Sequence, residues 1–244
     1  MVGLLVIIVV SGVLLHFFEQ KNITVLGVIP NQKHIIQLLI GFVGIVCIQL
    51  LAIYIETLVK SIRWEMKPMN YGDTYKAFIY HLKSALTEDL IFRGAILYIL
   101  IQKIGAKKAI LISAVSFSIY HVFSYGMALD QVIPIVYVIL ITGCTGYVWA
   151  YTFEKTKSIA LGLGFHLGFN IIITFFYPSQ PYGELLFTEI SRVDLSGWNE
   201  LYFSIVKGLF PSILMFVFVK FLLKSKFKCF KTHLKEIKHE NTIQ

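Results

Sequence analysis

Six apolar runs punctuate the chain, at about Val2–Phe18, Ile35–Val59, Ala109–Ser124, Val132–Phe153, Ser158–Tyr177 and Tyr202–Leu223. Each approaches or exceeds the ~20 apolar residues with which a helix crosses a bilayer. A seventh stretch, Thr87-Glu88-Asp89-Leu90-Ile91-Phe92-Arg93-Gly94, sets three ionisable groups at the head of an apolar run that continues from Ala95 to Ile101. The pattern predicts an all-α fold, a polytopic transmembrane bundle of about six to seven spanning helices. Three segments are expected: membrane helices and a basic loop over 1–74, a central region over 75–177, and an outer loop, a last helix and a lysine-rich tail over 178–244.

Composition agrees, since 57 % of the 244 residues are hydrophobic and only 15 % charged, too apolar for a soluble domain. The formal charge of +8 does not mark a nucleic-acid partner, because it lies in loops and tail and forms no basic stripe interleaved with aromatics. Seven lysines against one acid between Lys220 and Lys238 fit a cytoplasmic tail beside anionic lipid, and the expected location is the cell membrane. Cys47, Cys144 and Cys229 show neither zinc spacing nor a disulfide framework. No Lys or Arg precedes Lys21, so the first run is expected to be a retained helix. Trp64, Trp149 and Trp198 fall near run ends, where interfacial anchors and packing residues both occur.

Counting back from a cytoplasmic tail puts Pro178–Leu201 outside, Glu154–Lys157 inside, Tyr125–Gln131 outside and Lys103–Lys108 inside. A conflict follows, because the five basic residues of Lys60–Lys83 also ask to be inside. Two arrangements would relieve it: a broken or re-entrant hairpin over Tyr75–Ile101, or an interfacial amphipathic helix, the preferred one, leading into a span that violates the charge rule. Pro178–Glu200, the one long connection, is read as a passive linker, with capping of the outer face as the alternative.

An ionised group near the bilayer centre costs ~2.5–3.5 kcal/mol on insertion scales, so residues 88, 89 and 93 call for a function. Asp89 and Arg93 stand four apart, the spacing of a helical ion pair, and Glu88 points about 100° away. Five histidines lie near run ends or in loops, among them His81, whereas His121 and His166 sit inside apolar runs. Two buried imidazoles and a carboxylate are the groups of general acid–base chemistry and of catalytic zinc sites. Asn170 shares a helix face with His166 and is suited to orient it or to hold an oxyanion. Gly162, Gly164 and Gly168 permit close helix approach, and Phe117 is a packing wall below His121. No Gly-x-Ser-x-Gly, His-Glu-x-x-His or phosphate-cradling loop occurs, which removes the commoner hydrolase and nucleotide-binding readings.

Glu88-Asp89-x-x-x-Arg93, Phe117-x-x-x-His121 and His166-x-x-x-Asn170, in that order on three apolar helices, resemble the three motifs of the CPBP intramembrane proteases, the CAAX-processing and bacteriocin-processing family also called Abi. The resemblance spans roughly Tyr75–Tyr177 and departs at Asp89, where the family has a second glutamate. It implies an endopeptidase acting on a membrane-associated peptide or protein, with Glu88 activating water, His121 and His166 holding that water or a metal, Asn170 at the oxyanion, and Asp89 and Arg93 in support. The family is described as metalloproteases; His121, His166 and Glu88 would form a zinc set, and a metal-free glutamate/histidine site is equally compatible with the spacing. A non-catalytic immunity or binding protein on the same scaffold is the rival reading, and a proton- or ion-coupled transporter is a third, disfavoured by the lack of half-repeats.

Overall fold

The computed structural model describes residues 2–128 and 130–225, so the lysines from Lys226 onward and Cys229, on which the tail reading rests, lie outside the described residues. The helices are α1 Val2–Glu19, α2 Gln32–Lys60, α3 Tyr71–Arg93, α4 Ala95–Ile104, α5 Ala106–Ser124, α6 Val132–Thr156, α7 Ala160–Phe176 and α8 Trp198–Lys224, and the strands are β1 Arg63–Met66 and β2 Phe187–Ser191. Every apolar run became a helix within a few residues of its expected ends. By length and composition α1, α2, α5, α6 and α8 suffice to cross a membrane, while α7 is shorter.

The strands pair antiparallel, Trp64 opposite Glu189 and Met66 opposite Phe187, with an irregularity between Arg63 and Trp64. They mark one end of the bundle, here the sheet end. Short connections then fix the directions: α2, α5 and α7 run toward it, and α3–α4, α6 and α8 run away. At the far end the Ile159 amide donates to the Leu26 carbonyl at 2.9 Å, tying the α6–α7 junction to the short helical turn Ile23–Leu26 after α1.

The connection read as a passive linker is a structural cap. β2 lies within it, Trp64 packs edge-on against Phe176 and Tyr177, and Phe187 stacks on Phe176. Pairing also accounts for the charge conflict. Lys60 meets Glu200 at 2.5 Å, Lys67 meets Glu184 at 3.5 Å, and Arg192 meets Asp194 at 2.8 Å. The basic loop and the acidic loop share one end and partly neutralise each other, so counting basic residues loop by loop misjudges them. A fourth ion pair, Lys207 with Glu56 at 2.5 Å, reinforced by the Tyr177 hydroxyl on Glu56, ties α8 to α2 and α7.

Residues 75–101, expected either as a broken or re-entrant hairpin or as an interfacial helix leading into a span, form two helices divided at Gly94. Asn70 caps α3 by accepting from the Asp73 amide at 3.2 Å, Asp73 places a negative charge in the first turn, and the helix continues unbroken to Arg93. It then breaks at Gly94 and resumes as α4. A Cβ at Gly94 would lie 2.1 Å from the Leu90 carbonyl oxygen, so the corner admits only glycine without rearrangement. Ser113 on α5 donates to the Phe92 carbonyl at 2.7 Å, satisfying an acceptor beside the break.

Candidate active site

The motif residues of α3 separate by face. Asp89 and Arg93 are both 2 % exposed, and Arg93 Nη1 donates to Asp89 Oδ1 at 3.0 Å, the ion pair expected from the spacing. The guanidinium is also enclosed by aromatic rings: its carbon lies 3.8 Å from the Phe117 centroid, 4.9 Å from Trp149 and 5.8 Å from Phe92. Arg93 Nε and Nη2 and Asp89 Oδ2 have no hydrogen-bond partner among the described residues, so ring faces replace part of the solvation that this charge has lost. Phe117 is thus a wall, as expected, but one built against Arg93.

Asp89 Oδ1 also faces His166 Nδ1 on α7 at 3.4 Å, a contact that the sequence did not announce. The other ring nitrogen, Nε2, stands 3.7 Å from Glu88 Oε2. Glu88 Oε1 accepts from Ser84, one turn earlier on α3, at 3.1 Å, whereas Oε2 is buried without a hydrogen-bond partner among the described residues. The result is a chain Arg93–Asp89–His166–Glu88 across the α3–α7 interface, backed by Trp149, whose ring centroid is 4.5 Å from that of His166 at an interplanar angle of 30°.

α7 is pressed into place from behind. A Cβ at Gly164 would meet the Leu38 carbonyl oxygen at 2.2 Å, and one at Gly168 the Ile45 side chain at 2.5 Å, so both glycines face α2 and lie opposite His166. Only Gly162 shares the His166 face. Ten residues separate His166 from the end of α7 at Phe176, which puts the imidazole ~15 Å below the sheet end of that helix.

The remaining motif residues stand near this chain without joining it. His121 Nδ1 is 2.9 Å from the Phe117 carbonyl oxygen of its own helix, and its ring packs among Phe117, Tyr120 and Tyr125. It lies within electrostatic reach of Glu88 and His166 but in hydrogen-bond contact with neither. Asn170 accepts the Thr174 hydroxyl at its backbone carbonyl at 2.8 Å, and no hydrogen bond of its side-chain amide is found among the described residues.

As zinc donors, Glu88 and His166 are paired, but the third ligand does not reach them. Among the described residues no three His, Cys, Asp or Glu side chains are grouped so as to hold a metal ion. The expected donor set is therefore not assembled in this arrangement.

Sequence reasoning passed over two residues. Trp149 is buried at the centre of the site, although a run-end position gave no reason to place it there. His81, read as an interfacial histidine, has Nε2 2.7 Å from Thr174 Oγ1 on α7 and lies within electrostatic reach of His166. One signal was available: His81 precedes Glu88 by seven residues, two helical turns, and so shares its face.

Neither curated proteins nor solved structures yield a match to the chain. Residues 71–172 do match a family model, described as type II CAAX prenyl endopeptidase Rce1-like. All three motifs, from Glu88 to Asn170, fall inside that segment, and the matched family is itself one of the CPBP group of membrane endopeptidases that the three motifs resemble.

Proposed function

We propose that the protein is an intramembrane endopeptidase that hydrolyses a peptide bond of a membrane-associated substrate, of the CAAX type handled by the matched family, with water activated by Glu88. The observation that carries the reading is the facing pair Glu88 Oε2 and His166 Nε2 at 3.7 Å. If His166 donates its Nδ1 hydrogen to Asp89, Nε2 presents a lone pair to a carboxylate oxygen. Two acceptors so placed are reconciled by a shared proton or by a water donating one hydrogen to each. Such a water lies against a general base.

The reaction follows from that placement. Glu88 takes a proton from the water as its oxygen attacks the scissile carbonyl carbon, and the developing oxyanion is met by the Asn170 amide and the His121 imidazole. Collapse breaks the C–N bond, and Glu88 returns the proton to the departing amine. Asp89, itself held by Arg93, fixes the tautomer and tilt of His166, the part that a carboxylate plays behind a working imidazole. Because the donor set for a metal is incomplete, no step is assigned to one.

The test uses purified protein in proteoliposomes and a fluorescence-quenched peptide ending in a farnesylated Cys-aliphatic-aliphatic-X sequence. Cleavage by the unaltered protein and loss of at least ~10²-fold in Glu88→Gln, with helicity and melting unchanged, is the expected result. Equal turnover by Glu88→Gln would remove Glu88 as base. Absence of cleavage by the unaltered protein would favour the non-catalytic binding scaffold.

A further inference from the structure

α3 and α7 are bridged twice, and only one bridge involves motif residues. The inner bridge is Glu88 and Asp89 with His166; the outer is His81 with Thr174, displaced by seven or eight residues along each antiparallel helix. Asn170 lies midway between them on α7. The outer bridge has a defined polarity. Thr174 is 1 % exposed, and its hydroxyl donates its single hydrogen to the Asn170 carbonyl at 2.8 Å. Its oxygen can therefore only accept from His81, at 2.7 Å, which makes Nε2 the protonated ring nitrogen of His81. A directed chain results, from His81 through Thr174 to the backbone of Asn170.

We infer that His81 is a positioning residue of this site, acting through Thr174 to set where α7 presents the Asn170 amide relative to Glu88. The inference rests on the hydrolytic reading above. A Thr hydroxyl bonded back to the i−4 carbonyl bends a helix slightly, and the donation from His81 fixes both that hydroxyl and the local distance between α3 and α7. The bend falls in the turn from Asn170 to Thr174, so it governs the direction of the Asn170 side chain. The edge-on ring of Tyr80, 5.2 Å from His81, and Tyr182, 5.9 Å from Tyr80, hold the imidazole at the sheet end of the site. None of His81, Thr174 and the Asn170 backbone hydrogen-bonds to Glu88, so oxyanion placement is what this bridge sets.

The experiment is a set of variants assayed with the farnesylated quenched peptide, with melting measured in parallel. His81→Ala is expected to lower kcat roughly 10- to 100-fold, the scale of a misplaced catalytic group, while KM stays within about 3-fold. His81→Gln, whose amide can donate to Thr174, and Thr174→Ser are expected to restore most of kcat; Thr174→Val should match His81→Ala. In an Asn170→Ala background, His81→Ala should cost little more, because the group that it positions is gone. Full additivity with Asn170→Ala, or no recovery in His81→Gln, would overturn the inference while leaving the hydrolytic reading intact. Activity retained in Glu88→Gln would instead overturn that reading. Parallel loss of kcat and melting temperature in every His81 variant, Gln included, would reduce the bridge to a structural staple and likewise reject the inference.

Discussion

Arg93→Ala tests the foundation of the site, because among the described residues Arg93 is the one Lys or Arg paired with Asp89, and Asp89 in turn faces His166. Both members of the pair are 2 % exposed, so truncation leaves a carboxylate in a pocket walled by Phe117, Phe153 and Trp149 with little access to water. Stranding one partner of a buried pair costs ~3–5 kcal/mol. The guanidinium also loses contact with three rings, the nearest at 3.8 Å, a further loss of up to ~2 kcal/mol for a desolvated cation over an aromatic face. The two losses overlap, because the range for a broken buried pair already includes lost packing around the deleted side chain, so the total is kept at ~3–5 kcal/mol. In a chain of this size each kcal/mol shifts melting by ~2–4 °C, so a fall of roughly 6–20 °C is expected. The double variant Asp89→Asn, Arg93→Met should recover much of it, since replacing both charges removes the stranded ion. Melting followed by circular dichroism in detergent measures this directly. An Arg93→Ala protein melting within 2 °C of the unaltered one would refute the account of a desolvated, ring-enclosed pair.

Two further outcomes are expected. The basic loop at Lys67 and the acidic loop at Ser179 share one end of the bundle, and a cytoplasmic tail, the expectation drawn from its lysines, would put that end outside; on that expectation Lys67→Cys and Ser179→Cys should both label in intact cells with an impermeant maleimide, in a Cys47→Ser, Cys144→Ser, Cys229→Ser background. Labelling of one without the other would contradict the sheet pairing, and labelling of neither would reverse the orientation. Cleavage of the farnesylated peptide should survive prolonged treatment with a strong chelator, because the described donors do not form a three-ligand set; abolition by the chelator with recovery on adding zinc would show that His121 swings in to complete one.

The sequence alone determined the helices, their order and the identity of the motif residues. Helix formation in an apolar solvent is decided locally: backbone groups must bond within the segment, and a run of apolar side chains is sufficient instruction. The Asp89–Arg93 pair was legible for the same reason, as both partners sit on one helix at a spacing set by its pitch. Contacts between helices were not legible. That Asp89 meets His166, that His81 meets Thr174 and that Trp149 backs the imidazole depend on the rotation and axial register of α3, α6 and α7, which close packing of Gly164 and Gly168 against α2 helps to set. The charge conflict failed in the same way, because counting basic residues treats each loop as solvated alone, whereas Lys60 and Lys67 are paired to acids more than a hundred residues away. Sequence periodicity fixes what each helix offers on each face; only the packed bundle decides which faces meet.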